Sequence, residues 1–161
     1  MSRRVSLLAG HDRITPDGKK FYKEIEELKK LQVRVGFQHG EEQDDNGADL
    51  ADVAMWNELG TVHSPARPFL RQSVDSNASR INSACKSGLQ AIARGEKTAK
   101  DVLEALGALQ KGLIQNTIHN GDFKPNAKST EKKKGSNRPL IDTGRMRQSV
   151  NLVIKPKGEG D

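Results

Sequence analysis

Four histidines, one cysteine and a handful of serines are the residues here that could bind a metal or attack a substrate, and their spacing argues against both. His11, His39, His63 and His119 are scattered, and none has a carboxylate or a second histidine three or four positions on along a helix. That is the spacing a helical metal site uses. Ser6, Ser64 and Ser73 lack the glycine-flanked turn of a nucleophile elbow. Cys85 falls on the apolar stripe of an expected helix, where a small buried thiol is the ordinary arrangement. Asp44-Asp45-Asn46-Gly47 has the composition of a calcium loop. It lacks the alternating carboxylates and the closing glutamate, so the segment reads as a turn. Phosphate-cradling glycine motifs are missing as well. The chemistry points to no enzyme, no cofactor and no metal.

Nucleic-acid contact has more to draw on. Lys132, Lys133 and Lys134 stand together in a polar stretch and could neutralise phosphates in a sequence-independent, salt-sensitive way. The stacking platforms that single strands need are missing, the nearest aromatic being Phe123. A solvated basic loop is the other reading of the same residues.

The elements that carry these residues follow from periodicity. Asp17 can cap a helix beginning near Gly18, with Phe21, Ile25 and Leu28 as its apolar stripe. Val33, Val35 and Phe37 alternate with polar neighbours, giving a half-buried strand over 32–38. A short helix runs from Asp49 to Leu59 and ends at Gly60. Pro65 and Pro68 exclude regular structure between 61 and 68. A long helix follows over 69–94, with Val74, Ala78, Ile81, Cys85, Leu89 and Ile92 as its stripe. Thr98 and Asp101 start the next as a capping box, with Val102, Leu106, Leu109, Leu113 and Thr117 facing inward. Residues 122–138 are polar and basic, with almost no apolar anchor, and read as a long mobile loop that is ordered only from outside. A turn at 142–144, a turn of helix to Ser149 and a strand through Val150, Leu152 and Ile154 follow. The expected fold is α+β: a small antiparallel sheet packed with long helices, an extended N-terminal arm over 1–15 and a long basic loop. The chain reads as a single domain, 1–161.

Bulk properties fit a subunit better than a self-sufficient monomer. Only 34% of the 161 residues are hydrophobic and 4% are aromatic, and the mean hydropathy is -0.74. Either long segments lie outside the core or neighbouring subunits supply part of the burial. A single cysteine excludes an internal disulfide. No apolar run approaches the ~20 residues of a membrane span, and a soluble protein with no membrane partner is expected. The net charge of +6 is unevenly spread. Residues 35–66 contain acids, Asp44 and Asp45 among them, and neither lysine nor arginine, whereas 124–147 is rich in both. Opposite fields on one small protein can steer neighbours into register, though two solvated loops would show the same pattern.

Two segments carry a resemblance. Ala54-Met55-Trp56-Asn57-Glu58-Leu59-Gly60-Thr61 leads to Pro65-Ala66-Arg67-Pro68-Phe69-Leu70-Arg71. Later comes Pro139-Leu140-Ile141-Asp142-Thr143-Gly144-Arg145-Met146-Arg147-Gln148-Ser149-Val150. Their order and spacing resemble the tail-completion, or neck, proteins of long-tailed bacteriophages, the group that includes the lambda minor tail protein Z type and the Mu-type virion morphogenesis proteins. The acidic 41–49 loop and the lysine-rich 124–134 loop depart from that pattern.

The resemblance implies a structural virion protein, assembled in the host cytoplasm, that forms a homomeric, sixfold ring at the head–tail junction. Its partners would be head-completion or connector proteins and the tail terminator or tail tube, with DNA passing through the lumen. Pro68 suits the first turn of a helix, Arg67 and Arg71 could reach a neighbour's carboxylate from an exposed helix entry, and Gly144 could take a positive φ. The candidate interface residues are therefore Arg67, Pro68, Phe69, Arg71, Arg145, Arg147, Lys132, Lys133, Lys134, Asp44 and Asp45. Both motifs could equally serve only the fold of the subunit. The alternative function is a cytoplasmic nucleic-acid-binding accessory protein working through the basic loop.

Overall fold

The structure is a computed structural model describing residues 14–135, 137–140 and 144–158, with the side chain of Lys134 left aside. Nearly all of the expected arm, with Ser6 and His11, and the Asp142-Thr143 half of the expected turn lie outside the described residues. The fold is α+β, with long helices on a two-stranded antiparallel sheet.

Helix α1 (Pro16–Lys30) is capped by Thr15, whose hydroxyl accepts from the Gly18 N–H at 3.1 Å; Asp17 sits in the first turn instead of capping. Pro16, with no N–H to lose, is suited to that entry. Strand β1 (Leu31–Gly36) follows directly and pairs with β2 (Asn151–Pro156), placing Val33 opposite Ile154 and Val35 opposite Leu152. Asp49 caps α2 (Leu50–Leu59).

The long helix expected over 69–94 is two helices, α3 (Phe69–Asp75) and α4 (Ala78–Ala93). Polar side chains at the junction bond to local carbonyls, the Ser73 hydroxyl to Leu70 O at 2.7 Å and the Asn77 amide to Ser73 O at 3.0 Å. Short polar side chains that compete for the helix's own acceptors favour such a break. An apolar stripe continuing through the junction gave no hint of it.

Helix α5 (Ala99–Asn120) begins with the expected capping box, Thr98 and Asp101 each accepting from the other's backbone N–H. The Glu24 carboxylate of α1 accepts from Ala99 N at 2.7 Å, covering a further first-turn donor. α5 is the centre of the molecule, touching α1, α3, α4 and both strands. It can lie close on the sheet because position 107 is glycine: a Cβ there would stand 2.8 Å from the Val33 side chain. The expected 122–138 loop contains α6 (Lys128–Lys134), which ends at Gly135. Glu131 in the first turn and a left-handed Gly135 cap at φ 65° suit its two ends. A last turn, α7 (Arg145–Gln148), also packs on α5 and leads to β2.

The main core holds Ala54, Phe69, Ile114, Ile118, Leu140, Met146 and Val150, flanked by Phe37, Val53 and Phe123 among others. Phe37 meets Phe69 edge-to-face at 6.0 Å, a favoured geometry for paired rings.

Candidate functional site

The two motif segments meet at one corner. Phe69 from the first and Leu140, Met146 and Val150 from the second are buried in the same core. Gly60 ends α2 with φ 79°, and a Cβ there would lie 2.7 Å from Ala66 N, so the turn requires glycine on both counts. The chain then doubles back until Arg67 N donates to Asn57 O at 2.6 Å. The Glu58 carboxylate accepts from the N–H groups of Leu70 and Arg71, at 2.8 and 3.1 Å, and so caps α3 from the end of α2. A negative charge at a helix N-terminus is where the helix field favours it.

Arg67 is the centre of this corner and departs from the exposed position expected for it. It is 5% exposed. Its guanidinium donates to Lys124 O (2.9 Å), Pro125 O (3.3 Å), and the side-chain oxygens of Asn126 (3.1 Å) and Asn57 (3.4 Å). Burial lowers its pKa from the usual arginine value. Carbonyl dipoles from two segments hold the charge, so Arg67 ties the start of the 122–138 segment to the α2–α3 turn. That segment is therefore anchored from within the chain as well as partly helical.

The other candidates fall into separate places. Pro68 occupies the cap position of α3, one residue before the expected first turn. Phe69 is wholly buried and cannot contact a neighbour directly. Arg71 is exposed. Arg145 pairs with Asp45 at 3.1 Å and donates to Gln43 O at 3.2 Å, so the acidic loop meets a basic residue of its own chain. Asp44 is engaged locally, accepting from Asn46 N and Ala48 N at 2.9 and 2.8 Å. Those bonds, Ala48 first, hold its carboxyl below the usual range. Asp49 is lowered in the same way, by Gly40 N–H first and Ala51 N–H second. Arg147 is exposed, its carbonyl accepting from Gln115. Lys132 and Lys133 are exposed on α6, away from the Arg67 contacts. Gly144 has the expected positive φ, 79°.

A second region was less legible. Val33, Val35, Leu70, Val74, Ile81, Cys85, Leu106 and Leu109 line an open, largely apolar groove of about 430 Å³ between α3–α4 and α5. Cys85 is half-buried on its wall, not in a closed core. Of the stripe expected over 69–94, Ile92 is 2% exposed while Val74 and Leu89 remain 46% and 47% exposed. On α2, Met55 (50%), Trp56 (47%) and Leu59 (67%) face outward, and Val62 beyond them is 97% exposed. The signal for this patch is in the sequence: α2 is apolar on both faces, and a helix of that kind needs cover on both. Among the described residues no group of three His, Cys, Asp or Glu side chains is placed to hold a metal ion, and no helix is long and apolar enough to cross a membrane.

Comparison with models of known protein families, with characterised proteins and with solved structures finds no match.

Proposed function

We propose that this chain is a structural subunit of a tailed-bacteriophage neck, forming a homomeric ring that joins the head connector to the tail, with no catalytic role. The observation that carries this reading is the convergence of the two motif segments. Far apart in sequence, they share one core through Phe69, Leu140, Met146 and Val150, and Glu58 and Arg67 fasten the first segment together. That gives the motif residues a joint architectural task. The apolar surface left open on α2 and beside α4 suits a protein whose burial is completed by copies of itself. Function then lies in geometry: a closed ring matches connector to tail and leaves a lumen for DNA.

The test is made on particles. Purified virions of the phage encoding the chain should contain it in a few copies, at the head–tail junction, and its deletion should leave filled heads and separate tails. A chain missing from virions, or deletion without a joining defect, overturns the reading. The exposed Lys132 and Lys133 on α6 favour the accessory DNA-binding reading as the second choice. That reading expects salt-sensitive duplex binding by the isolated chain, lost when both lysines become glutamine, and no copies in virions.

A further inference from the structure

Among the described residues, two uncovered apolar surfaces differ in kind, an outward helix face and a recessed groove. The patch is the outward face of α2. Leu50 and Ala54 turn into the core, whereas Met55, Trp56 and Leu59 stand on the opposite side with Val62 just past the helix. The groove lies elsewhere, walled by Val74 of α3, Ile81 and Cys85 of α4, and Leu106 and Leu109 of α5.

The charges beside them are opposite. Residues 35–66, which contain the patch, carry acids such as Asp52 and neither lysine nor arginine. The charged residues of α4, which supplies a wall of the groove, are Arg80 and Lys86. Arg80 and Lys86 are exposed. An apolar helix face beside Asp52 and an apolar groove beside Arg80 and Lys86 are complementary in polarity and in sign.

We infer that the groove is the seat for the α2 patch of a second copy of this chain, a head-to-tail contact in which Trp56 and Leu59 enter beside Val74 and Cys85. Two different surfaces meeting in this way leave each new subunit with one free patch and one free groove, so addition continues until the rotation closes a ring. Trp56 is the anchor, because a large aromatic entering an apolar recess carries a disproportionate share of interface energy. This contact rests on the ring reading above and supplies its interface.

The experiment uses the full chain and two surface variants, followed by sedimentation velocity over a concentration series. W56E/L59E removes the patch and leaves the groove. V74K blocks the groove and leaves the patch. These positions are substantially exposed, and circular dichroism of each variant should match wild type.

The expected result is oligomers larger than a dimer for wild type, and monomers for each variant alone, with assembly weakened roughly a hundredfold or more. Mixed in equal amounts, the variants should form a one-to-one heterodimer that grows no further, because only one productive patch–groove pair is then available. The heterodimer also proves that both variants are folded. Self-assembly of V74K as strongly as wild type overturns the proposal, since the patch would then have another seat. A folded pair that stays monomeric on mixing overturns it as well, and so does a wild-type chain that is monomeric throughout. The neck reading is decided separately, by the presence of the chain in virions. Virions that contain W56E/L59E protein at normal copy number and remain infectious would dismiss this contact and leave that reading standing.

Discussion

The corner where α2 turns into α3 and the groove between α4 and α5 are lined by the same kinds of residue, yet one is closed and the other open. At the corner, Phe69 and Val150 are 0% exposed and a guanidinium is buried with them, its donors met by carbonyls. Along the groove, Val74 keeps nearly half of its surface. The difference is one of supply. Segments 123–126, 139–140 and 144–150 fold back over the corner, whereas nothing among the described residues is laid over the groove. Apolar periodicity therefore marks which face of a helix is to be covered, and not by what.

The sharpest way to break the contrast is to truncate one side chain in each region. Phe69→Ala should cost about 3–5 kcal/mol, the range for emptying an aromatic site in a closed core. Val74→Ala should stay within about 0.5 kcal/mol in the isolated chain. Urea denaturation of both variants at low protein concentration checks this, and equal losses would show that the groove is as closed as the corner.

Arg67 comes next. Arg67→Ala leaves the oxygens of Lys124, Pro125 and Asn126 without their donor. It should destabilise by about 1.5–3 kcal/mol, the range for hydrogen bonds to a charged group. Arg67→Lys should recover only part of that, because a single ammonium cannot span acceptors placed for a fork. Limited trypsinolysis should cut both variants faster than wild type at Lys128. An Arg67→Ala chain that is as stable and as resistant as wild type would mean the tie holds nothing.

Gly60→Ala is a smaller and more local break. The φ of 79° and the approach to Ala66 N both penalise a Cβ, and about 1–3 kcal/mol is the expected loss for a residue forced into that region. Thermal melting reads it, and an unchanged midpoint would show that the turn relaxes freely.

The smallest effect is electrostatic. Asp44 and Asp49 are held below the usual carboxylate range by backbone N–H groups, those of Ala48 and Gly40 foremost. A depressed native pKa stabilises above the unfolded value, and that contribution is lost as pH falls through the native one. Amide shifts of Ala48 and Gly40, followed by NMR from neutral to acid, should therefore inflect below the ordinary carboxylate range. Inflections at the ordinary value would mean that the acidic loop is loose in solution.

How much of this was readable beforehand depends on the range of the interaction. The capping box at Thr98, the two strands themselves and the glycine at 144 depend on neighbours or on simple alternation, and all were legible. The break at Ser76-Asn77 was not, because the apolar stripe runs through it and only side-chain competition for carbonyls interrupts the helix. The register of α5 was half legible. Val102, Leu113 and Thr117 are buried as expected, but Leu103, Ile114 and Ile118, about 100° further round the helix, are buried too, while Leu106 and Leu109 lie on the groove. Arg67 was singled out for the right reason, its fork of donors, and placed on the wrong side of the surface. No local pattern says that carbonyls near residue 125 will fold back to meet it.

The pairing of β1 with β2 also governs when the molecule can become native. Leu31 must wait for Pro156, and the α5 face that lies on the sheet stays bare until Leu152 and Val150 have been made. Contacts so distant along the chain are slow to form, because a long loop must close before they are rewarded. A ribosome-bound chain that has made all of α5 still lacks half its sheet and the Val150 that closes its core. The helices reach the solvent first, but the order to consolidate comes from β2, so the core closes only after synthesis has passed it.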